Sequence, residues 1–172
     1  MVKVLGIIGW SGSGKTTLIT ALLPLLRTRG LRVSTIKHAH HGFDMDRPGK
    51  DTFRHRAAGA HEVLVASGRR WALLHEVDGD EPTLSMLLSH LEPVDVVLVE
   101  GFKTHPFAKL EVFRASLGKP PIWPGEPRVL AIASDTSRDN LALTGGDRVL
   151  LPLNQPEAIT AWILDFSPIR LE

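Results

Sequence analysis

The sequence predicts an α/β domain with a mostly parallel central sheet and an added antiparallel hairpin. Three observations carry this. Short β-branched, aliphatic runs alternate with segments of helical period, the pattern of strands joined by crossover helices. The first run feeds Gly9-Trp10-Ser11-Gly12-Ser13-Gly14-Lys15-Thr16-Thr17, a full match to G-x-x-x-x-G-K-[ST], and a helical pattern follows. That strand–loop–helix setting is the P-loop of the three-layer P-loop NTPase fold. Two strand-like runs also flank a short Ser67-Gly68-Arg69-Arg70 turn, the mark of a hairpin.

The elements follow in order. Val2–Ile8 is apolar and reads as a buried parallel strand. Thr16–Arg29 places Leu18, Leu22, Leu25 and Leu26 on one side. Gly30 stands where a glycine stops a helix, and Pro24 predicts a kink. Leu31–Lys37 is a second strand, followed by a polar, histidine-rich loop. Asp51–Ala60 reads as a helix, Val63–Ser67 and Trp71–Val77 as the hairpin, and Pro82–Leu91 as a helix. Val94–Val99, Lys109–Phe113, Arg128–Ala133 and Val149–Pro152 are strands. Leu117–Pro127 is a Pro- and Gly-rich loop, and Pro156–Phe166 closes the chain as a helix.

At 172 residues the chain reads as a single domain spanning 1–172. A formal net charge of +1 gives no general pull toward nucleic acid or an anionic membrane, so neither is an expected partner. The absence of cysteine excludes disulfides and thiolate metal sites and fits a reducing compartment. The apolar start lacks a signal peptide's cleavage region, and the apolar stretch Thr16–Leu26 is too short to span a bilayer. The expectation is a cytoplasmic protein.

Ligands of open α/β sheets bind at the carboxyl ends of the strands, so the residues following each strand carry the chemistry. In the P-loop, Gly9, Gly12 and Gly14 let backbone N–H groups, including that of Ser13, converge on phosphate oxygens. The next helix aims its positive dipole end at the same point. Lys15 would add a charge near the β- and γ-phosphates, and the Thr16 hydroxyl would hold Mg²⁺. Glu100 ends an apolar strand as a Walker B acid does, holding or orienting the metal's water shell.

Asp44, Asp46 and Asp51 are candidate second metal acids, with Asp46 read equally as a helix cap. Asp135 follows a late strand, where one carboxylate can accept both guanine N–H donors; a plain turn acid fits the same string. His38, His40 and His41 read first as a polar loop, with a metal site as the alternative. That alternative describes a metallochaperone-type GTPase. A small-molecule kinase lacks its arginine-rich lid here. No glutamine stands near the P-loop to position water, and such proteins hydrolyse GTP at rates as low as about 10⁻⁴ s⁻¹. A binder fits better than a fast enzyme.

The P-loop, then Ile36–His41 (IKHAHH), Pro48-Gly49-Lys50-Asp51, Ala57-Ala58-Gly59-Ala60, Leu98–Lys103 (LVEGFK) and Lys109–Arg114 (KLEVFR) resemble the MobB family of molybdopterin-guanine dinucleotide biosynthesis adaptors. The likeness runs from Val4 to about Asp135. It implies GTP with Mg²⁺ as ligand, weak GTPase activity at most, and a homodimer. It also implies a MobA-like molybdenum cofactor guanylyltransferase as partner, which joins GMP to molybdopterin. Gly12, Gly14, Lys15, Thr16, Thr17 and Glu100 match the family's phosphate and metal positions, and Asp46, Lys50 and Asp51 its loop. Trp10 stands where the nitrogenase iron-protein-like class often has a signature lysine, so activation across a dimer by that lysine is not implied.

Overall fold

The computed structural model describes residues 2–39, 42–138, 141 and 148–166. In chain order the elements are β1 (Lys3–Ile8), α1 (Lys15–Thr28), β2 (Val33–Lys37), α2 (Asp51–Ala57), β3 (Glu62–Ala66), β4 (Trp71–His75), α3 (Leu84–Ser89), β5 (Val96–Glu100), β6 (Lys109–Phe113), β7 (Val129–Ser134), β8 (Val149–Pro152) and α4 (Pro156–Asp165). The chain divides into two compact units, Met1–His38 with Leu91–Glu172, and Ala39–His90.

The first unit holds a six-stranded sheet of order β2-β5-β1-β6-β7-β8, and every pairing in it is parallel. Its central strands β1, β5 and β6 are buried on both faces, as the apolar runs of β1 and β5 require, while β6 buries two charged residues as well. On one face α1 presents Leu18, Ile19, Leu22 and Leu26 to Leu5, Ile7, Leu98, Leu110 and Ala131, with Ile159 and Ile163 of α4 beside them. Each such leucine or isoleucine side chain contributes about 1.5–3 kcal/mol of burial. Ile19, not Leu25, completes the buried stripe. The other face gathers Ile8, Phe113, Val129 and Ile132 around Trp123, whose ring meets Phe113 edge-on at 5.0 Å.

Helix α1 continues through Pro24. The missing proline N–H spares only the Thr20 carbonyl, and both residues lie on the exposed side. The helix then stops at Gly30, with φ of 78°. Gly30 N–H donates to the Arg27 carbonyl at 3.0 Å and Leu31 N–H to that of Leu26 at 3.3 Å, a Schellman closure. Leu31 is thereby spent on the cap, and β2 starts two residues later than the apolar run suggests.

The segment between β6 and β7 is irregular, with 3-10 turns at Ala115–Leu117 and Trp123–Gly125. Glu111 anchors it. Its fully buried carboxylate accepts the Ile122 N–H at 3.0 and 3.1 Å and the Trp123 N–H at 2.7 Å. On the same strand Lys109 is equally buried, paired with Glu126 at 3.3 Å and donating to the His105 carbonyl at 2.6 Å.

In the second unit β3 and β4 pair antiparallel, from Glu62 opposite His75 to Ala66 opposite Trp71. The sequence adds this hairpin to the parallel sheet; among the described residues it forms a sheet of its own. Helix α2 ends before the expected Ala60 because Gly59, with φ of 98°, closes it as Gly30 closes α1. Helix α3 is capped by Thr83, whose hydroxyl accepts the Met86 N–H at 3.2 Å.

Candidate functional site

Because the six strands are parallel, β1, β2, β5, β6 and β7 end on one edge, and the P-loop leaves β1 there. The loop turns back on itself through Trp10, whose carbonyl accepts the Ser13 N–H at 3.1 Å and the Lys15 ammonium at 2.9 Å. Glycine is obligatory at position 9. Its φ is 145°, and a Cβ would stand 2.4 Å from the Val112 carbonyl oxygen and 2.7 Å from the Ser13 hydroxyl. Burial lowers the pKa of the Lys15 ammonium, with Lys103 and Lys37 pushing the same way and Glu100 opposing. The site is therefore rich in positive charge.

The acid at the end of β5 faces the first turn of α1. The Thr16 hydroxyl lies 3.2 Å from each carboxylate oxygen of Glu100. Register places Glu100 opposite Ile7 of β1 and Lys37 of β2, beside the loop. A hydroxyl and a carboxylate are hard oxygen donors and suit Mg²⁺. Gly101, with φ of 104°, follows because a Cβ there would meet the His38 Cβ at 2.8 Å.

On the other side of the loop Arg114 leaves β6. Its Nε donates to the Ser13 carbonyl at 3.0 Å, and its Nη1 pairs with the Asp135 carboxylate at 2.5 Å. Trp10 is fixed from a third direction. Its indole N–H donates to the Pro120 carbonyl at 2.7 Å, and the Lys103 ammonium sits 4.6 Å from its ring centre. The strand ends thus surround the P-loop with one metal-suited acid and several cations.

Residues 4–135 match the profile of MobB, described as molybdopterin guanine dinucleotide synthesis protein B. The chain belongs to the MobB family. The molybdopterin-guanine dinucleotide biosynthesis adapter protein of Escherichia coli K12 is 41% identical over 170 residues, covering 96% of this chain and 94% of that one. The Haemophilus influenzae protein of the same name is 38% identical over 175 residues, covering 98% and 94%. A crystal structure of molybdopterin-guanine biosynthesis protein B superposes with a TM-score of 0.72 at 29% identity, covering 94% and 97%. The Bacillus subtilis MobB structure superposes at 0.70 with 26% identity, covering 94% and 96%. The P-loop NTPase fold expected from the sequence is the fold of these MobB structures.

Within this MobB fold the P-loop residues Gly9, Gly12, Ser13, Gly14, Lys15, Thr16 and Thr17 gather with Glu100 and Asp135 on the first unit. Asp46 belongs to the second unit, where its carboxylate braces the start of α2. It accepts the Arg47 N–H at 3.0 Å and the Thr52 hydroxyl at 2.7 Å. Neighbouring Asp44 grips Arg56 at 2.8 Å, and that guanidinium lowers the pKa of its carboxyl.

His38 stacks on Phe102 at 4.4 Å, a packing role, while His40 and His41 lie outside the described residues. Among the described residues no group of three or more His, Cys, Asp or Glu is placed to hold a metal ion. Lys103, Glu111 and Arg114 lie within the LVEGFK and KLEVFR strings, but the sequence assigned them no role at the site.

Proposed function

We propose that this chain is a GTP-binding adapter that assists a MobA-like guanylyltransferase in attaching GMP to molybdopterin. Its likeness over nearly the full length to proteins named as adapters of molybdopterin-guanine dinucleotide biosynthesis supports the pathway. The observation that carries the nucleotide half is the Thr16 hydroxyl meeting the Glu100 carboxylate beside a complete P-loop.

In this reading the N–H groups of Gly12 to Thr17 and the α1 dipole receive the phosphates. Lys15 adds its charge at the β- and γ-phosphates. Thr16 and Glu100 would hold Mg²⁺, which neutralises phosphate charge when bound. The chain's only glutamine is Gln155, next to α4, which fits slow or absent hydrolysis and a binder's role. Asp135, at the end of β7, is the candidate acid for guanine. Among the described residues no helix is long and apolar enough to cross a membrane, and the site of action is the cytoplasm in this reading.

The working unit is a homodimer formed through the hairpin. Leu64 and Leu73 are a cross-strand pair, and Trp71 shares their face; all three are exposed. A lone two-stranded hairpin with open edges and an apolar face is marginal by itself, and a second copy would cover it.

The test is cofactor assembly with purified components. Adding this chain to a MobA-like guanylyltransferase with molybdopterin and GTP is expected to raise the yield of guanine dinucleotide cofactor and to give a co-eluting complex. No complex and no change in yield would remove the adapter role.

A further inference from the structure

Arg114 occupies a position that no P-loop motif requires. Its side chain, about one-third exposed, spans two strand ends. Nε donates to the Ser13 carbonyl at 3.0 Å, and Nη1 pairs with Asp135 at 2.5 Å. Nη2 lies 3.7 Å from the point a Cβ on Gly14 would occupy, so the guanidinium lies along the loop where α1 begins.

Two consequences follow from peptide and guanidinium geometry. In a planar trans peptide the C=O and the following N–H point in opposite directions. Fixing the Ser13 carbonyl on Arg114 therefore aims the Gly14 N–H away from Arg114, into the phosphate cradle. A guanidinium also carries five N–H donors in one plane. Ser13 and Asp135 hold its orientation, and among the described residues Nη2 has no hydrogen-bond acceptor. A charged donor is thus held at the rim of the cradle with capacity to spare.

The sheet order gives this donor a side. Glu100 and Thr16 mark the metal end, on the β5 flank of the P-loop. Arg114 and Asp135 lie on the opposite flank, after β6 and β7. A nucleotide with its β- and γ-phosphates toward Glu100 extends its α-phosphate, sugar and base toward β6 and β7.

We propose that Arg114 is a nucleotide-binding residue that donates to the α-phosphate end of the ligand, with Asp135 as the residue that positions its guanidinium. This rests on the reading of the P-loop as a GTP site. Asp135 Oδ2 accepts from the arginine, and Oδ1 accepts from the Thr136 hydroxyl at 3.4 Å, with a second lone pair left for a donor from the base.

The experiment measures GTP and GDP affinity with Mg²⁺ for the wild type, Lys15→Ala, Arg114→Gln and Arg114→Lys, each checked for folding by circular dichroism. Arg114→Gln is expected to weaken GTP and GDP by the same factor, roughly ten- to a hundredfold for a charged hydrogen bond. Arg114→Lys keeps the charge but loses the fork and is expected to fall between. Wild-type affinity in both Arg114 variants, with Lys15→Ala impaired, overturns the Arg114 assignment and leaves the GTP site standing. A loss confined to GTP overturns it too, because the contact would then be to the γ-phosphate. Wild-type binding in Lys15→Ala removes the GTP site and this proposal together.

Discussion

The Thr16 hydroxyl lies 3.2 Å from both oxygens of the Glu100 carboxylate, joining the first turn of α1 to the end of β5 across 84 residues of sequence. A carboxylate that accepts a serine or threonine hydroxyl at the foot of a P-loop is placed to share a divalent cation with it. Glu100→Gln keeps the shape and removes the charge. It is expected to abolish most of the Mg²⁺-dependent gain in GTP affinity, with variant and wild type converging in chelator. Titrations with and without Mg²⁺ check this, and an unchanged Mg²⁺ effect counts against Glu100 as the metal acid.

Gly9 is fixed by both conformation and space. Gly9→Ala must hold a φ of 145° and a Cβ 2.4 Å from a backbone oxygen. The expected loss of stability is at least about 2 kcal/mol. Gly42→Ala, where a Cβ meets nothing within 4 Å, serves as the near-neutral control in the same urea denaturation series.

Glu111 makes stability depend on pH. Burial raises the pKa of its carboxyl, against the Ile122 and Trp123 N–H groups and the charge of Lys103, which lower it. Between the usual glutamate value, about 4.3, and this raised value, the unfolded chain has released a proton that the folded chain keeps. Stability from this group is full below that window and falls as pH rises through it. Glu111→Gln cannot ionise. The denaturation midpoint of the variant relative to wild type is therefore expected to rise from acid toward neutral pH, whereas a constant offset refutes the assignment.

The hairpin face predicts an oligomeric change. Leu64→Lys with Leu73→Lys puts two like charges directly opposite each other on the exposed face. The pair is expected to shift the protein from dimer to monomer in sedimentation equilibrium. An unchanged dimer places the interface elsewhere.

Local features of the site were legible in the sequence. Gly9–Thr17 is one continuous string whose chemistry needs no distant partner, and Glu100 is marked by the apolar run before it. Arg114 closes the KLEVFR string, but its role was not legible, because its partner Ser13 is 101 residues away and only the β1–β6 pairing brings them together. Glu111 looked like one letter of a strand. Its role comes from the Ile122 and Trp123 amides of a loop that composition marks only as irregular. The hairpin turn was clear, but strand pattern says nothing about which sheet a strand joins, so its separation from the parallel sheet came only with the structure. The stop of α1 at Gly30 stood in the sequence, whereas α2 ended short of Ala60 because the Schellman glycine Gly59 closed it.

Binding of GTP by the P-loop is the central claim, and calorimetric titration of Mg²⁺–GTP into the wild type and Lys15→Ala tests it most directly, with Mg²⁺–ATP in parallel. The account predicts GTP bound more tightly than ATP, and a loss in Lys15→Ala of about 1.5–3 kcal/mol, the range for a charged hydrogen bond. Equal GTP affinity in wild type and variant, or no binding by the wild type, would contradict it.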